Sequence, residues 1–305
     1  MITKKKDELF YLDFTMMSAW LRCRFYYYFR HVRHLVPMTT AAPLSYGKTW
    51  HSAIEILHKG GTLEEAEKHF LTDYVNSERD LKRTPEKGIE MLREYKKKYN
   101  PGNMKYLYTE TPFSLHLTEN IILCGRMDAI VEWNGGIYVF ESKTTSSLTS
   151  AFTQSFELNY QVDIYALACY ELMGRCDGAI IDAARVVKPK TKPDDLLRFP
   201  VSRTKDDLYF AKKSLIEIAM EMQNDTSPIY QNKCECMKYF RKCTYHDLCM
   251  GMCDERIIRA NFKEEVWDPS HNLHDKVNQE ERRKSHEETK REERWRQVIT
   301  VTGKR

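Results

Sequence analysis

The chain has 305 residues, 42% of them hydrophobic and 30% charged, with a net charge of +4. This suits a soluble globular protein with a charged periphery, holding one large domain or two small ones, and the charge alone is too small to argue for nucleic acid. No apolar run approaches the roughly eighteen residues that span a bilayer, and the first residues lack the apolar segment of a signal peptide, so no membrane role and a cytoplasmic location are expected.

Residues 15–35 read as a helix. Within it, residues 20–34 interleave four arginines and two histidines with a dense set of aromatics. Cations that track phosphates beside rings that stack on bases suit a single-strand groove, which makes Arg22, Arg24, Tyr27, Arg30 and Arg33 candidate nucleic-acid contacts. An amphipathic helix with buried aromatics and solvated arginines explains the same pattern, and arginine stems can serve both. Pro37 to Pro43 is a connector. Leu44 to Lys59 is a second helix, stopped by Gly60-Gly61. Thr62 and Glu65 form a capping box that opens a third, and 86–99 form a fourth, closed by Pro101-Gly102.

Residues 106–118 read as a strand, followed by hairpin arms 120–133 and 136–144. A helix (156–172), a core strand (178–187), a short edge strand (196–202) and a helix (204–224) come next. Strands flanked by helices indicate an α/β sandwich. From Asn278 the chain is almost wholly charged, as in a solvated helix or a disordered tail.

The hairpin carries the chemistry. Asn-Gly between β-rich runs is a strong hairpin signal. If Asn134-Gly135 is a two-residue loop, Trp133 pairs with Gly136 and Asp128 faces Glu141, with Cβ atoms roughly 4.5–5.5 Å apart. Like charges so placed need something positive between them. Lys143, two residues past Glu141, shares its face. Two acids and a lysine on one face describe a site for a divalent cation and a phosphate. If Gly135-Gly136 were the loop, Asp128 would face Lys143 in a plain cross-strand salt bridge. Further along, His51 lies on a helix where it can pair with Glu55. Glu110 lies on the strand before the hairpin, as a further carboxylate or a solvated charge. Gln161 and Tyr165 share one helix face.

Nine cysteines are many for a reducing compartment. Cys124, Cys169 and Cys176 read as core residues, whereas Cys234, Cys236, Cys243, Cys249 and Cys253 fall within twenty residues and argue for a metal or an iron–sulfur cluster.

The order of these elements resembles the PD-(D/E)XK nuclease superfamily, in particular its RecB-like branch of CRISPR-adaptation and phage recombination exonucleases. There a helix histidine precedes a Gly-x-x-Asp strand, an acid-x-Lys strand and a helical Gln-x-x-x-Tyr. Here these are His51, Gly125 to Asp128, Glu141-Ser142-Lys143, and Gln161 to Tyr165. The resemblance implies a restriction-endonuclease-like core, a mixed central sheet flanked by helices, with an N-terminal helical section and a C-terminal cysteine cluster. It implies one nuclease domain over 1–255 (mainly helical over 1–105, catalytic core over 106–225, cysteine segment over 226–255) and a charged tail over 256–305.

The branch also implies Asp128, Glu141, Lys143, Gln161 and Tyr165 as the active site. Mg²⁺ or Mn²⁺ would be held by His51, Asp128, Glu141, the Ser142 carbonyl and, as a further ligand, Glu110. A 4Fe–4S cluster would rest on Cys23, Cys236, Cys243 and Cys249, with Cys234 or Cys253 as alternates; zinc would accept four thiolates as well. The implied activity is a DNA exonuclease of single strands or ends in recombination and repair, with a structure-specific endonuclease or a non-catalytic DNA-end adaptor as rivals. A helicase or recombination partner is implied too, in the host cytoplasm if the source is a phage.

Overall fold

The computed structural model describes residues 9–75, 80–99, 104–187, 196–226, 229–238, 241–251, 255–271 and 273. Strand β1 (Phe10–Asp13) buries Phe10 and Leu12 on alternate positions, and Asp13 caps α1 (Phe14–Arg22) by accepting the Met16 N–H at 2.8 Å. The helix expected over 15–35 is broken. Cys23 adopts extended backbone (φ −168°, ψ 128°), and α2 (Arg24–Tyr27) restarts the helix and passes into a π-helical turn over Tyr28–Val32. The break has a packing reason: Trp20 belongs to the main core, whereas Phe29 joins a separate cluster with Leu35, Tyr245 and Leu248. One straight helix could not bury its aromatic run in both.

Strand β2 (Leu35–Pro37) leads to α3 (Ala42–His58), with Pro43 in its first turn. The expected capping box is present at α4 (Leu63–Asp73): Thr62 Oγ1 accepts the Glu65 N–H at 3.1 Å, and Glu65 accepts the Thr62 N–H at 2.8 Å. α5 (Pro85–Lys98) completes a three-helix layer around Tyr46, Trp50, Phe70 and Leu92.

The sheet is built from β3 (Met104–His116), β4 (Ile121–Trp133), β5 (Gly136–Thr145), β6 (Gly178–Arg185) and β7 (Leu196–Ser202), with β1 as its sixth strand. Pairings β3–β4, β4–β5 and β6–β7 are antiparallel; β5–β6 and β1–β4 are parallel. Between β5 and β6 the chain forms α6 (Ser150–Gln154) and α7 (Tyr160–Met173) instead of one helix over 156–172. Asn159 sets the boundary, since its side chain accepts the Gln161 and Val162 N–H groups as an N-cap. With α1 and α8 (Lys205–Asn224), α7 covers one face of the sheet while α3 to α5 cover the other. This is the mixed, helix-flanked α/β fold expected.

The C-terminal section has little regular structure: β8 (Met237–Lys238), β9 (Arg241–Lys242), α9 (His246–Cys249), α10 (Glu255–Asn261) and β10 (Phe262–Glu264). It is bound to the N-terminal section. β10 pairs antiparallel with β2, Tyr245 donates its hydroxyl to the Leu35 carbonyl at 2.6 Å, and Trp267 Nε1 donates to Asp13 at 2.7 Å. The packed body therefore runs past residue 255, because Ile258, Phe262 and Trp267 are apolar anchors in an otherwise charged stretch. The charged run from Asn278 lies outside the described residues. Among the described residues, no helix is long and apolar enough to cross a membrane.

Candidate active site

The site forms where the sheet forks. β3 covers one edge of β4 from Ile122 to Trp133, so β1 and β5 must share the other edge. β1 takes Ile121 to Cys124 and β5 takes Ala129 to Trp133. Gly125 to Asp128 therefore have no strand partner on that edge among the described residues. The β4–β5 turn has positive φ at Asn134 (49°) and Gly135 (76°), as a type I′ turn requires, and Trp133 pairs with Gly136. Counting back, the ladder ends at Ala129–Phe140, and the next positions are Asp128 and Glu141. The alternative register, with Asp128 opposite Lys143, is not the one formed. Beyond the ladder the Ser142 N–H donates to Asp128 Oδ2 at 2.9 Å, so the fork itself fixes one carboxylate.

Two helices and the end of β5 complete the constellation. His51 on α3 lies with Nδ1 3.0 Å from Asp128 Oδ2. The sequence offered Glu55 as its partner, but Glu55 instead pairs with Lys59. Lys143 donates to Glu141 Oε1 and, at 3.0 Å, to Gln161 Oε1. Gln161 Nε2 reaches Glu141 Oε1 at 3.1 Å and the Tyr165 hydroxyl at 3.2 Å. Glu141 is 5% exposed, and its second oxygen, Oε2, is buried with no hydrogen-bond partner. A buried carboxylate oxygen left so is costly unless a cation meets it.

Electrostatics separate the two acids. Burial raises the Glu141 pKa, and the neighbouring Asp128 charge raises it further, against Lys143 and His51. Burial also opposes ionisation of Asp128, but the hydrogen bond and charge of His51, with the Ser142 N–H, outweigh it and lower its pKa. Burial pulls the His51 imidazole down, while Asp128 and Glu141 more than compensate and raise it. Without a metal, the site thus keeps positive charge on His51 and Lys143 to hold its two acids together.

Two glycines permit this approach. A Cβ on Gly125 would lie 2.6 Å from the Phe113 ring, which packs edge-on to Tyr165 with centroids 5.8 Å apart. A Cβ on Gly47 would lie 3.1 Å from Thr144 Oγ1, where α3 crosses the end of β5. Glu110 sits in the left-handed region (φ 46°) and pairs with Arg126 at 2.7 Å. Burial pushes its pKa up to about 7; Arg126 opposes this, while Glu55 and Asp128 add to it. Glu110 is thus a paired charge at the site's margin. Sequence reasoning missed Arg126 and Asn159; the one signal available was an Asn just ahead of the apolar helix periodicity.

The aromatic-arginine stretch is spent largely inside the fold. Arg24 lies 3.5 Å over the Trp20 ring, donates to the Trp20 carbonyl at 2.6 Å and pairs with Glu221 and Asp225. Tyr27 packs edge-on to Trp20, and burial pushes its pKa up to about 12. Arg22 stacks on Tyr26 and faces Glu235, Arg30 reaches Trp267 and the Glu265 carbonyl, and Arg33 lies 3.9 Å from Glu255. Cys23, Cys236, Cys243 and Cys249 line one small cavity beside Asn232, whose N–H donates to Cys23 Sγ at 3.3 Å. Cys234 is exposed and outside that lining, and Cys253 lies outside the described residues. Among the described residues, no group of three or more His, Cys, Asp or Glu side chains is arranged to hold a single metal ion.

No curated protein matches the chain. Of solved structures, a protein of Eubacterium rectale provisionally described as an exonuclease superposes with TM-score 0.44 at 14% identity, covering 79% of this chain and 93% of its own. The protein SSO0001 gives TM-score 0.34 at 16% identity, covering 76% and 84%. At those scores neither likeness bears on function. The family profile of the PD-(D/E)XK nuclease superfamily matches residues 14–250, from the first turn of α1 to just past α9, a span that includes the whole His51–Asp128–Glu141–Lys143–Gln161–Tyr165 network. This chain belongs to the PD-(D/E)XK nuclease superfamily.

Proposed function

We propose that the chain is a metal-dependent deoxyribonuclease of the RecB-like branch, digesting single-stranded DNA or DNA ends in recombination or repair. The observation that carries this reading is the bonded network at the fork, with one Glu141 oxygen buried and unpartnered beside Asp128 and His51. Hard carboxylate oxygens beside an imidazole suit Mg²⁺ and, better, Mn²⁺. Asp128, Glu141, His51 and the Ser142 carbonyl would hold the ion, with Glu110 a further ligand if Arg126 releases it. A divalent cation there supplies a lowered pKa for an attacking water and neutralises phosphate charge.

The chain's own groups do the rest. Lys143, gripped by Glu141 and Gln161, presents a fixed ammonium to the charge that develops on the phosphate. Gln161 orients Lys143 and Glu141 together, and Tyr165 orients Gln161 through its hydroxyl while its ring rests against Phe113. These two are positioning residues.

A 4Fe–4S cluster on Cys23, Cys236, Cys243 and Cys249 belongs to the same reading. Four thiols share one cavity. Burial raises the Cys243 thiol pKa, with Cys23 and Cys236 adding to it, so a cationic centre there would favour its thiolate. A cluster would spread four thiolates over four irons, whereas zinc, the alternative, would draw all four to one point. Its role would be to join the two ends of the domain.

The test is digestion of an end-labelled linear single strand beside a circular one, in Mn²⁺ or Mg²⁺, with Lys143→Ala as control. Stepwise loss of the linear strand, the circle spared and the variant at least about 100-fold slower, is the expected result. Cleavage of the circle would indicate an endonuclease. Binding without cleavage would indicate an adaptor.

A further inference from the structure

We infer that Lys48, with Leu44 one turn before it, forms a substrate-strand contact on α3 that sets the grip on the nucleotide next to the scissile phosphate. This rests on the nuclease reading above and adds a residue to it. α3 has two faces. Ala42, Tyr46, Thr49, Trp50, Ala53 and Ile54 are buried, several of them in the three-helix core. At 3.6 residues per turn, Leu44, Lys48, His51 and Glu55 form a single stripe on the other side. Close approaches fix where that stripe points: His51 meets Asp128, and a Cβ on the neighbouring Gly47 would lie 3.1 Å from Thr144 Oγ1, one residue beyond Lys143.

The occupants of the stripe differ in how far they are satisfied. His51 is bound to Asp128 and Glu55 to Lys59. Lys143 is held by Glu141 and Gln161, and Arg126 by Glu110. Lys48 is exposed and pairs with no carboxylate among the described residues. Leu44 is 69% exposed although it lies within the first turns of α3. A free ammonium followed by an uncovered leucine, leading directly to the acids, suits a strand whose phosphate meets the cation and whose sugar or base covers the leucine.

The spacing agrees with that path. A rise of about 1.5 Å per residue puts Lys48 roughly 4.5 Å and Leu44 roughly 10.5 Å along the axis from His51. That is on the order of one and two to three nucleotide steps of a stacked or partly extended strand, at about 3.4–5 Å per step. Lys48 then meets the adjacent phosphate, and not the one under attack, which belongs to Lys143.

The test is a salt titration of single-stranded oligonucleotide binding in EDTA, where hydrolysis cannot intervene, for the wild type, Lys48→Ala and Lys48→Arg. Loss of one phosphate contact lowers the slope of log K against log salt by about 0.7 on a single strand. The expectation is that drop for Lys48→Ala, recovery in Lys48→Arg, and a rise in KM in Mn²⁺ that exceeds any change in kcat. An unchanged slope overturns the inference. Digestion by the wild type is run alongside. Digestion with an unchanged slope rejects Lys48 alone, a changed slope without digestion rejects the exonuclease alone, and absence of both rejects the two together.

Discussion

The forked hairpin and the N-terminal aromatic-arginine stretch carry similar densities of charge, yet they use it in opposite ways. At the fork, charges are brought together by backbone constraints: a type I′ turn fixes the register, the ladder ends at Ala129–Phe140, and the acids fall just beyond. Removing any partner leaves a buried charge exposed to its like neighbour. Around α1 and α2, charges are instead consumed by packing. Arg24 binds a ring, a carbonyl and two carboxylates, and Tyr27 is half inside the core. A cation that already has its partners has little left for a phosphate. The comparison teaches that spacing along a strand predicts chemistry, while composition along a helix predicts only that something must be buried.

The largest expected effect tests the proposed cluster, which would connect these ends of the chain. Cys236→Ser removes a link between residues over two hundred apart, and closing a loop longer than a hundred residues is worth on the order of 5 kcal/mol in the chain-entropy picture. Loss of iron, of visible absorbance and of most folding stability is expected, whereas Cys234→Ser, at an exposed position off the cavity, retains all three. Equal iron content and equal denaturation midpoints for Cys236→Ser and the wild type would remove the cluster from the proposal. Next in size is Arg24→Ala. Its carboxylates and the Trp20 carbonyl lose a charged donor, at about 1–3 kcal/mol, read as a shifted denaturant midpoint. The salt slope of DNA binding stays where it was, in contrast to Lys48→Ala. A drop in that slope would return Arg24 to the DNA surface.

Legibility followed the same division. The hairpin register, the pairing of Lys143 with Glu141 and the capping box at Thr62 depend on neighbours a few residues away, and each is readable from the sequence. The α6–α7 break depended on one side-chain cap, at Asn159, that an apolar run obscured. The kink at Cys23 was hidden altogether, because it exists to serve two cores whose other walls come from Tyr245, Leu248 and β4, far away in sequence. Glu55 illustrates the same limit. Its i−4 neighbour His51 and its i+4 neighbour Lys59 are equally close by helical spacing, and only the tertiary placement of Asp128 decides between them.

The smallest effect is a pH dependence. In the metal-free protein the His51 pKa is raised, so the folded state binds that proton more tightly than the unfolded one. The stabilisation is therefore full below the unfolded value of about 6.5 and is lost as pH rises through the folded value. Asp128, whose pKa is lowered, stays ionised throughout that window. A hydrogen bond to a charged group is worth about 1.5–3 kcal/mol, and at 30% exposure the lower end applies, a few degrees in Tm for a chain of this size. Without metal, the wild type should melt above His51→Gln at pH 6, and the gap should narrow as pH rises above the ordinary imidazole value. Manganese held by these residues would reverse the trend, since it would compete with the protons on His51 and Glu141, whose pKa is also raised, and its stabilisation would grow with pH. Melting curves from pH 5.5 to 9, with and without Mn²⁺, decide the matter. If the metal stabilises equally at every pH, the proton and the ion are not sharing these ligands, and His51 serves only to orient Asp128.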